Sequence, residues 1–378
     1  MGRLITLSIS AQIVVAAFSP YLQIIFRNKG YSHSLCGVLL ALCQFAAIII
    51  PLLISSISDK TGKTKSFLLL CSLVSLVTAI PFLLSNNIVV VVIASFILNG
   101  VFWSINPLCD GFINRALTHD TSRYGTIRAM GTLSYVCTLV LFAFIKFPNE
   151  NSNSSILLAM IICILLFIIV LLTTKENSSS ERKEKENQVF SISWFSKSFY
   201  IFMGIVALTR VGQAVVEKLL SSYMIEELNL GGYFLIFVAL GALCEFFCMI
   251  FFSRLKRNKK ITSWSMLLIS AIGLTVRLLL YLIPSIYTFI IAQMLHGLTF
   301  GVLHVAATGY AADNVAPEHY DLAMTLYWSL ATNLPEMLGA FAGGFVIEAF
   351  GYPMLFLSYS IFPLVACILC LTNKKHFK

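Results

Sequence analysis

Twelve apolar runs of helix length dominate this sequence of 378 residues. A helix needs about 20 apolar residues to cross the hydrocarbon core of a bilayer, and each run comes close to that length. Only 11% of the residues are charged, against roughly 25% in soluble domains. We therefore expect an all-α membrane protein with twelve transmembrane helices. Their expected ranges are 4–26, 35–57, 67–84, 88–113, 125–147, 155–173, 198–224, 233–253, 263–283, 286–312, 322–347 and 351–372.

One polar stretch divides the twelve runs into six and six. Residues 175–197 are rich in serine and in charges of both signs, a composition that cannot bury a core and is typical of a solvated linker. The prediction is a six-helix bundle over 1–174, a cytoplasmic linker over 175–197 and a second six-helix bundle over 198–378. Leu98–Trp103 in the fourth run and Leu295–Phe300 in the tenth share a Leu-polar-Gly pattern, which favours duplicated bundles.

Basic residues are concentrated on one side of the predicted membrane. Twenty of the 26 Lys and Arg residues fall in loops and tails of that side, whereas the opposite side holds Arg27, Lys29 and Lys146. Positively charged loops remain in the cytoplasm, so both termini are expected there, with the protein in the plasma membrane, the inner membrane of a bacterium. The formal net charge of +9 is then a topology signal, and no nucleic-acid partner is expected.

Ionisable side chains inside the apolar runs mark the candidate site, because each costs about 3 kcal/mol in hydrocarbon. Arg210, Glu245, His296 and Glu336 lie near the centres of their runs. A carboxylate at such depth either pairs with a cation or takes up a proton near neutral pH, which is what proton coupling requires. For Glu245 and Glu336 a purely structural ion pair is the alternative.

The seventh run carries a polar face. Arg210, Gln213 and Glu217 are spaced to share one side of a helix, which predicts one wall of an aqueous cavity and assigns Arg210 and Gln213 to a solute site. Lys218 is expected to point elsewhere. Glu217 and also Arg277, in the ninth run, lie in outer halves of their helices, where reaching outward to water is the alternative to a role in the site.

Two histidines occupy the tenth run. His296 and His304 are eight residues and roughly 80° apart on a regular helix. A lone histidine in a helix is usually a core residue, but two in a helix that also holds Gly297 and Gly301 favour hydrogen-bonding or proton-relay roles. No His, Cys or carboxylate cluster has metal-ligand spacing, and no catalytic motif occurs, so neither an enzyme nor a metal cofactor is expected.

The loop between the second and third runs reads Ser-Asp-Lys-Thr-Gly-Lys-Thr-Lys over Ser58–Lys65, and resembles the loop motif of the major facilitator superfamily. In that family a carboxylate and basic residues clamp helix ends. The leading glycine of the family pattern is Ser55 here, and the copy in the second half has decayed to Ser253–Arg257. The resemblance carries the clamping role to four residues: Asp59, Lys60, Gly62 and Lys63.

Three further segments are similar to the branch of that superfamily that holds lactose permease and the phenylpropionate permeases. They are Pro107–Asp110, Tyr124–Thr132 and Gln293–His304. In that branch a carboxylate of helix four and an arginine of helix five hold the solute, and an aromatic residue two turns on stacks against it. The resemblance therefore implies solute contacts from three residues: Asp110, Arg128 and Tyr135.

The same resemblance implies proton coupling in the second half, with two departures. His296 and Arg277 match the coupling region of the sugar permeases, but the position of their proton-carrying glutamate is Thr299 here. The helix-eight glutamate of that branch also has no aligned match, since Glu245 falls about two turns further along. Coupling is then expected through Glu245 or Glu336, assisted by three residues: Arg277, His296 and His304.

The expected function is proton-coupled symport, the uptake of a small organic solute by alternating access of two bundles. A sugar, a nucleoside and an aromatic acid all suit an Asp–Arg–aromatic site, and a monomer with the proton as coupling ion is expected. A drug–proton antiporter is one alternative, but Gly131–Phe147 lacks the Gly/Pro-rich motif of such exporters. A non-transport membrane protein on the same fold is another, which the many buried charges disfavour.

Overall fold

The computed structural model describes residues 1–117, 121–174, 195–316 and 319–373, and every regular element among them is helical. Most of the predicted linker 175–197 lies outside these residues. In chain order the elements are α1 (Gly2–Phe18), a 3₁₀ turn (Ser19–Tyr21), α2 (Leu22–Asn28), α3 (His33–Thr61), α4 (Thr64–Leu84), α5 (Ile88–Ala116), α6 (Thr121–Ile145), α7 (Asn153–Thr173), α8 (Lys197–Ala214), a π segment (Val215–Leu219), α9 (Leu220–Glu226), a 3₁₀ turn (Gly231–Tyr233), α10 (Phe234–Arg257), α11 (Ser263–Leu280), α12 (Ile286–Met294), a π segment (Gly297–Gly301), α13 (Val302–Asn314), α14 (Tyr320–Leu326), a π segment (Tyr327–Asn333) and α15 (Leu334–Thr372).

Eleven helical runs are long and apolar enough to span a membrane, and the last of them accounts for two spans. Leu322–Thr372 has 51 residues, which as a straight helix would be about 75 Å long against a hydrocarbon core of roughly 30 Å. Gly351 interrupts α15 with a φ of 77°. Beyond it, the hydroxyl of Tyr359 donates a hydrogen bond of 2.5 Å to the carbonyl of Gly339. The chain therefore turns back at Gly351, and the predicted twelve-helix, all-α membrane fold is confirmed.

The chain divides into two compact units. One consists of Met1–Tyr31 and Leu42–Asn187, and the other of Ser32–Ala41 and Gln188–Lys378. The first turns of α3, Ser32–Ala41, thus group with the second unit. The domain limits expected from the sequence stay a prediction, because residues 175–194 of the linker lie outside the described residues.

Large apolar side chains remain exposed along the helices. Val77, Phe144 and Ile169 are 68%, 76% and 62% exposed, which would be unfavourable in water but suits contact with lipid chains. In each half of the chain the first span is the most buried. The first span, Gly2–Asn28, and the seventh, Lys197–Glu226, have the highest buried share of all the described spans, 67% each.

A close helix contact recurs at the predicted internal repeat. A Cβ at Gly100 of α5 would overlap the side chain of Ile50 of α3, and a Cβ at Gly297 would overlap the carbonyl oxygen of Cys244 of α10. The fourth span thus meets the second, and the tenth meets the eighth, each through a glycine. Both copies of the Leu-polar-Gly pattern use their glycine in the same way, as duplicated bundles require.

Three π-helical segments interrupt the spans of the described chain, and all three belong to the second unit: Val215–Leu219, Gly297–Gly301 and Tyr327–Asn333. A π segment bonds residue i to i+5, so it rotates the side chains that follow relative to a regular helix, and such segments are frequent at functional sites. Glu217 lies inside the first segment, His296 precedes the second and Glu336 follows the third by three residues.

Candidate functional site

In the first unit, Asp110 of α5 and Arg128 of α6 form a direct ion pair between Oδ2 and Nη1. The Arg128 side chain is 48% exposed and that of Asp110 is 30% exposed, so the pair remains accessible. Tyr124, just before the span of α6, hydrogen-bonds both side chains. Burial raises the pKa of Tyr124, so that its phenol stays neutral and can donate to the carboxylate.

Amide and aromatic groups lie near this pair along the same helices. Tyr135 follows Arg128 by seven residues on α6, which places it on the same helical face, and it is half-buried. Gln12 of α1 donates a hydrogen bond of 3.4 Å to Oδ1 of Asn106, one turn before Asp110. Sequence reasoning missed Gln12 and Asn106, because an uncharged amide in an apolar run changes its hydropathy little. That isolated amide is the signal that could have identified them.

In the second unit, Arg277 of α11 is completely buried and makes four side-chain hydrogen bonds. The alternative that it reaches outward to water is therefore wrong. Nε donates to Tyr281 Oη and Nη2 donates to Gln293 Oε1, both at 3.0 Å. Nη1 donates to His296 Nδ1 at 2.8 Å and to Thr299 Oγ1 at 3.1 Å.

The contact with Arg277 fixes the protonation of His296. An arginine only donates hydrogen bonds, so Nδ1 of His296 must accept and the neutral ring carries its proton on Nε2. Nε2 lies 3.4 Å from Oε2 of Glu245 on α10. A second proton on the ring would have to displace Arg277, whereas Glu245 can take up a proton without breaking that bond. The three side chains thus form a row of contacts from a buried cation to a carboxylate that is 25% exposed.

Glu336 of α15 has two cationic partners. Oε1 contacts Nη2 of Arg210, and Oε2 lies 3.5 Å from Nζ of Lys218. The expectation that Lys218 points away from this face is wrong, because the π segment Val215–Leu219 rotates it relative to a regular helix. With its side chain only 5% exposed, Glu336 has the surroundings of a structural ion pair more than Glu245 does.

The polar face of α8 has unused hydrogen-bonding capacity. Gln213 donates to Oε1 of Glu217 at 3.0 Å. Nε of Arg210 and Oε1 of Gln213 are buried and have no hydrogen-bond partner in the described part of the chain. A buried donor and a buried acceptor left unpaired each cost about 1–3 kcal/mol. The described chain therefore leaves one buried donor and one buried acceptor of this face unpaired.

A row of rings extends along the tenth span. His296, Phe300 and His304 have centroid separations of 6.1 and 6.4 Å, with interplanar angles of 12° in both cases. On a regular helix the two histidines would be about 80° apart, but the π segment Gly297–Gly301 aligns them. Nδ1 of His304 lies 3.1 Å from the hydroxyl of Tyr327, and the guanidinium of Arg210 lies 4.7 Å from the Phe300 ring centre.

Charges balance in this network, in which Arg277 and Glu336 are buried and Glu217 is exposed, as the alternative of reaching water expects. Three cations face three carboxylates when both histidines are neutral: Arg210, Lys218 and Arg277 against Glu217, Glu245 and Glu336. Glu217 joins this network through the hydrogen bond that it accepts from Gln213. Within the described ranges, no group of His, Cys, Asp and Glu is arranged to hold a metal ion.

The loop motif of the first unit joins two helix ends. Asp59, near the end of α3, accepts a hydrogen bond of 3.1 Å from Nη1 of Arg115, near the end of α5. Gly62 has a φ of 70°, a conformation that glycine adopts at no cost, and it ends α3. Lys60 is exposed, and Lys63 precedes α4 without capping it through its side chain. The partner of the carboxylate is thus an arginine outside the motif.

The second unit contains a similar link with the charges exchanged. Lys256 of α10 contacts Asp313 of α13, so here the eighth span supplies the cation and the tenth supplies the carboxylate. Sequence reasoning identified neither Arg115 nor Asp313 as a clamp residue, since both lie far from the loop motif in the chain.

Comparison with known proteins gives a consistent result across the whole length. The chain matches the profile of the MFS_1 like family over residues 13–358. It is 20% identical over 356 residues to the uncharacterized transporter YwbF of Bacillus subtilis (strain 168), a match that covers 93% of this chain and 86% of that protein.

Solved transporter structures share the fold. A mutant of the nucleoside transporter NupG superposes with a TM-score of 0.83 at 14% identity and 98% coverage of both chains. A POT family transporter in complex with a thioalcohol-conjugated peptide gives 0.76 at 13% identity, covering 98% of this chain and 94% of that one. A bacterial homologue of the human lysosomal transporter Spinster gives 0.70 at 14% identity, with coverages of 99% and 95%. At these identities the likeness extends to the fold alone.

Proposed function

Because the chain belongs to the MFS_1 like family of membrane transporters, we propose that it is a secondary active transporter for uptake of a small organic solute in symport with protons. The relay from Arg277 through His296 to Glu245 carries this proposal. Buried ionic networks seldom add net stability, so their presence inside apolar spans favours a functional role.

Glu245 is the proposed proton carrier. It faces one histidine that donates through Nε2–H, and its side chain keeps more exposed surface than that of Glu336. Protonation would remove the charge that attracts Nε2–H, and Arg277 would still hold the ring of His296 through Nδ1. The proton would then be released when the alternating-access transition exposes Glu245 to the cytoplasmic side of the membrane.

The solute is proposed to contact Asp110, Arg128 and Tyr135 of the first unit, and Arg210 and Gln213 of the second. The accessible ion pair and the unpaired donor and acceptor support these assignments. Because cations and carboxylates balance inside the spans of the second unit and again in the Asp110–Arg128 pair, an uncharged solute leaves no charge of the proposed site unpaired. A nucleoside, as named for the NupG transporter, or a sugar suits this balance better than an aromatic acid.

The test is uptake into vesicles that contain the purified protein, with labelled nucleosides, sugars and aromatic acids, and with and without a pH gradient. We expect an uncharged solute to accumulate only when the outside is more acidic, and a protonophore to abolish that accumulation. Solute leaving against its gradient while protons enter would identify a drug–proton antiporter. Absence of flux for every solute, with the protein correctly folded, would favour a non-transport role.

The protein is an integral membrane protein, and we place it in the plasma membrane, the bacterial inner membrane, with both termini in the cytoplasm. Its proposed partners are the solute, protons and lipid. We propose no cofactor other than the proton as coupling ion, and a monomer as the functional state.

A further inference from the structure

A cluster of unpaired positive charge lies where α10 ends in the second unit. Within seven residues the chain carries five cations, of which Lys256 is bound to Asp313. The other four are exposed, and their side chains make no hydrogen bond or ion pair with any described residue: Arg254, Arg257, Lys259 and Lys260. We refer to these four residues as the basic cluster.

In the corresponding loop of the first unit, Asp59 and Lys65 have partners within the protein. Arg115 binds Asp59, and Nζ of Lys65 donates to the carbonyls of Leu172 at 3.2 Å and Thr174 at 2.6 Å. Within the described residues the side chains of the basic cluster have no such acceptors, although like charges so close together repel one another. An anion from outside the described residues would relieve that repulsion.

The basic cluster continues a lipid-facing stripe of α10. Phe247, Ile250 and Phe251 are 60%, 39% and 58% exposed. Arg254 and Arg257 follow at helical spacings of three, four and seven residues, so they lie on the same face one and two turns further along. A side chain that extends the hydrocarbon-facing stripe beyond its apolar end lies at the depth of the phospholipid headgroups.

We propose that the basic cluster is a binding site for the phosphate of an anionic phospholipid. Arginine donates two parallel hydrogen bonds to phosphate oxygens, and lysine adds a point charge. A zwitterionic headgroup carries its own ammonium, so it would compensate little of the cluster's charge. This site is independent of the solute and of the proton relay, since it needs only the bilayer and the second unit.

The test uses the purified protein in a neutral detergent. The basic residues can then affect lipid binding but no longer the orientation of the protein, which is set during membrane insertion. Binding of phosphatidylglycerol and of phosphatidylcholine is measured by native mass spectrometry and by the lipid-dependent rise in melting temperature. We expect tighter binding of phosphatidylglycerol, and about 30-fold weaker binding for Arg254→Gln/Arg257→Gln, from roughly fivefold per removed surface cation.

Lys256→Gln/Asp313→Asn is the matched control, because it removes a cation of the same loop together with the carboxylate that neutralises it. It should bind phosphatidylglycerol like the wild type. Arg254→Lys/Arg257→Lys, which keeps the charge but loses the fork, should bind between the wild type and the glutamine variant. Equal binding of both lipids by the wild type, or unchanged binding by Arg254→Gln/Arg257→Gln, would overturn the proposal and leave the cluster as a topology signal only.

Discussion

Glu245 and Glu336 show at the scale of single residues how partners decide what a buried carboxylate can do. Two cations bind Glu336, whereas Glu245 faces one neutral histidine. Glu245→Gln keeps a hydrogen-bonding side chain but holds it permanently neutral. We expect this variant to lose uphill accumulation under a pH gradient while solute counterflow stays close to the wild-type rate. Parallel accumulation and counterflow assays check this expectation.

Glu336→Gln provides the comparison and has a different expected effect. It leaves Arg210 and Lys218 without their carboxylate, and removing one member of a buried ion pair typically costs about 3–5 kcal/mol. The expected result is a lower melting temperature and a lower folded yield. If both glutamine variants still accumulate solute, neither carboxylate is the coupling group. A stable Glu336→Gln that exchanges but cannot accumulate would move the coupling role to Glu336.

Arg128 carries the expectation for the solute site of the first unit. Arg128→Lys keeps the charge but loses the planar fork, and a hydrogen bond to a charged group contributes about 1.5–3 kcal/mol. Solute affinity should therefore fall roughly tenfold to hundredfold, measured by equilibrium binding of the solute found in the uptake screen. Arg115→Lys alters an arginine bound to the exposed Asp59 instead, and should leave affinity unchanged. Equal effects of the two variants would remove Arg128 from the site.

At the scale of helices, the π segments explain what helical periodicity alone could not predict. The residue spacing placed Arg210, Gln213 and Glu217 on one face, and the structure keeps Gln213 bonded to Glu217. The same spacing misplaced Lys218, which lies inside the π segment Val215–Leu219. It also separated His296 from His304, because the π segment Gly297–Gly301 lies between them. Sequence periodicity assumes a regular helix, so it fails at the segments that shape this interior.

Gly297 allows a test of the close contact between the eighth and tenth spans. The Cβ of an alanine there would overlap the carbonyl oxygen of Cys244. Because this oxygen belongs to the backbone of α10, it cannot move aside without shifting the helix. We expect Gly297→Ala to lower the free energy of unfolding by about 1–3 kcal/mol or more. Gly273 faces the same π segment, but a Cβ there would lie an ordinary 3.5 Å from Leu298. Gly273→Ala should be neutral or stabilising, and thermal melts that rank the two variants the other way would contradict the packing argument.

At the scale of the whole molecule, hydropathy predicts the spans well and the partners poorly. The expected run 88–113 and the observed span Ile88–Ile113 coincide, because a lipid-exposed chain has no alternative to a helix for its backbone hydrogen bonds. The pairing of Arg277 with His296 joins two spans through tertiary packing, which no local pattern encodes. Only the resemblance to the permease branch suggested that these two residues act together.

The turn at Gly351 bears on the topology of the entire chain, since twelve spans place both termini on one side and eleven would not. Phe350, beside the turn, is 69% exposed, and Lys146 and Lys260 are exposed in other loops. Cysteine placed at Phe350 or Lys146 should react with a membrane-impermeant maleimide in intact cells. Cysteine at Lys260 should react only after permeabilisation, because the proposed orientation puts the basic loops in the cytoplasm. Labelling of Lys260→Cys in intact cells would show that the chain has the opposite orientation in the membrane. If Phe350→Cys labels on the opposite side from Lys146→Cys, the chain does not turn back at Gly351 and the twelve-span count fails.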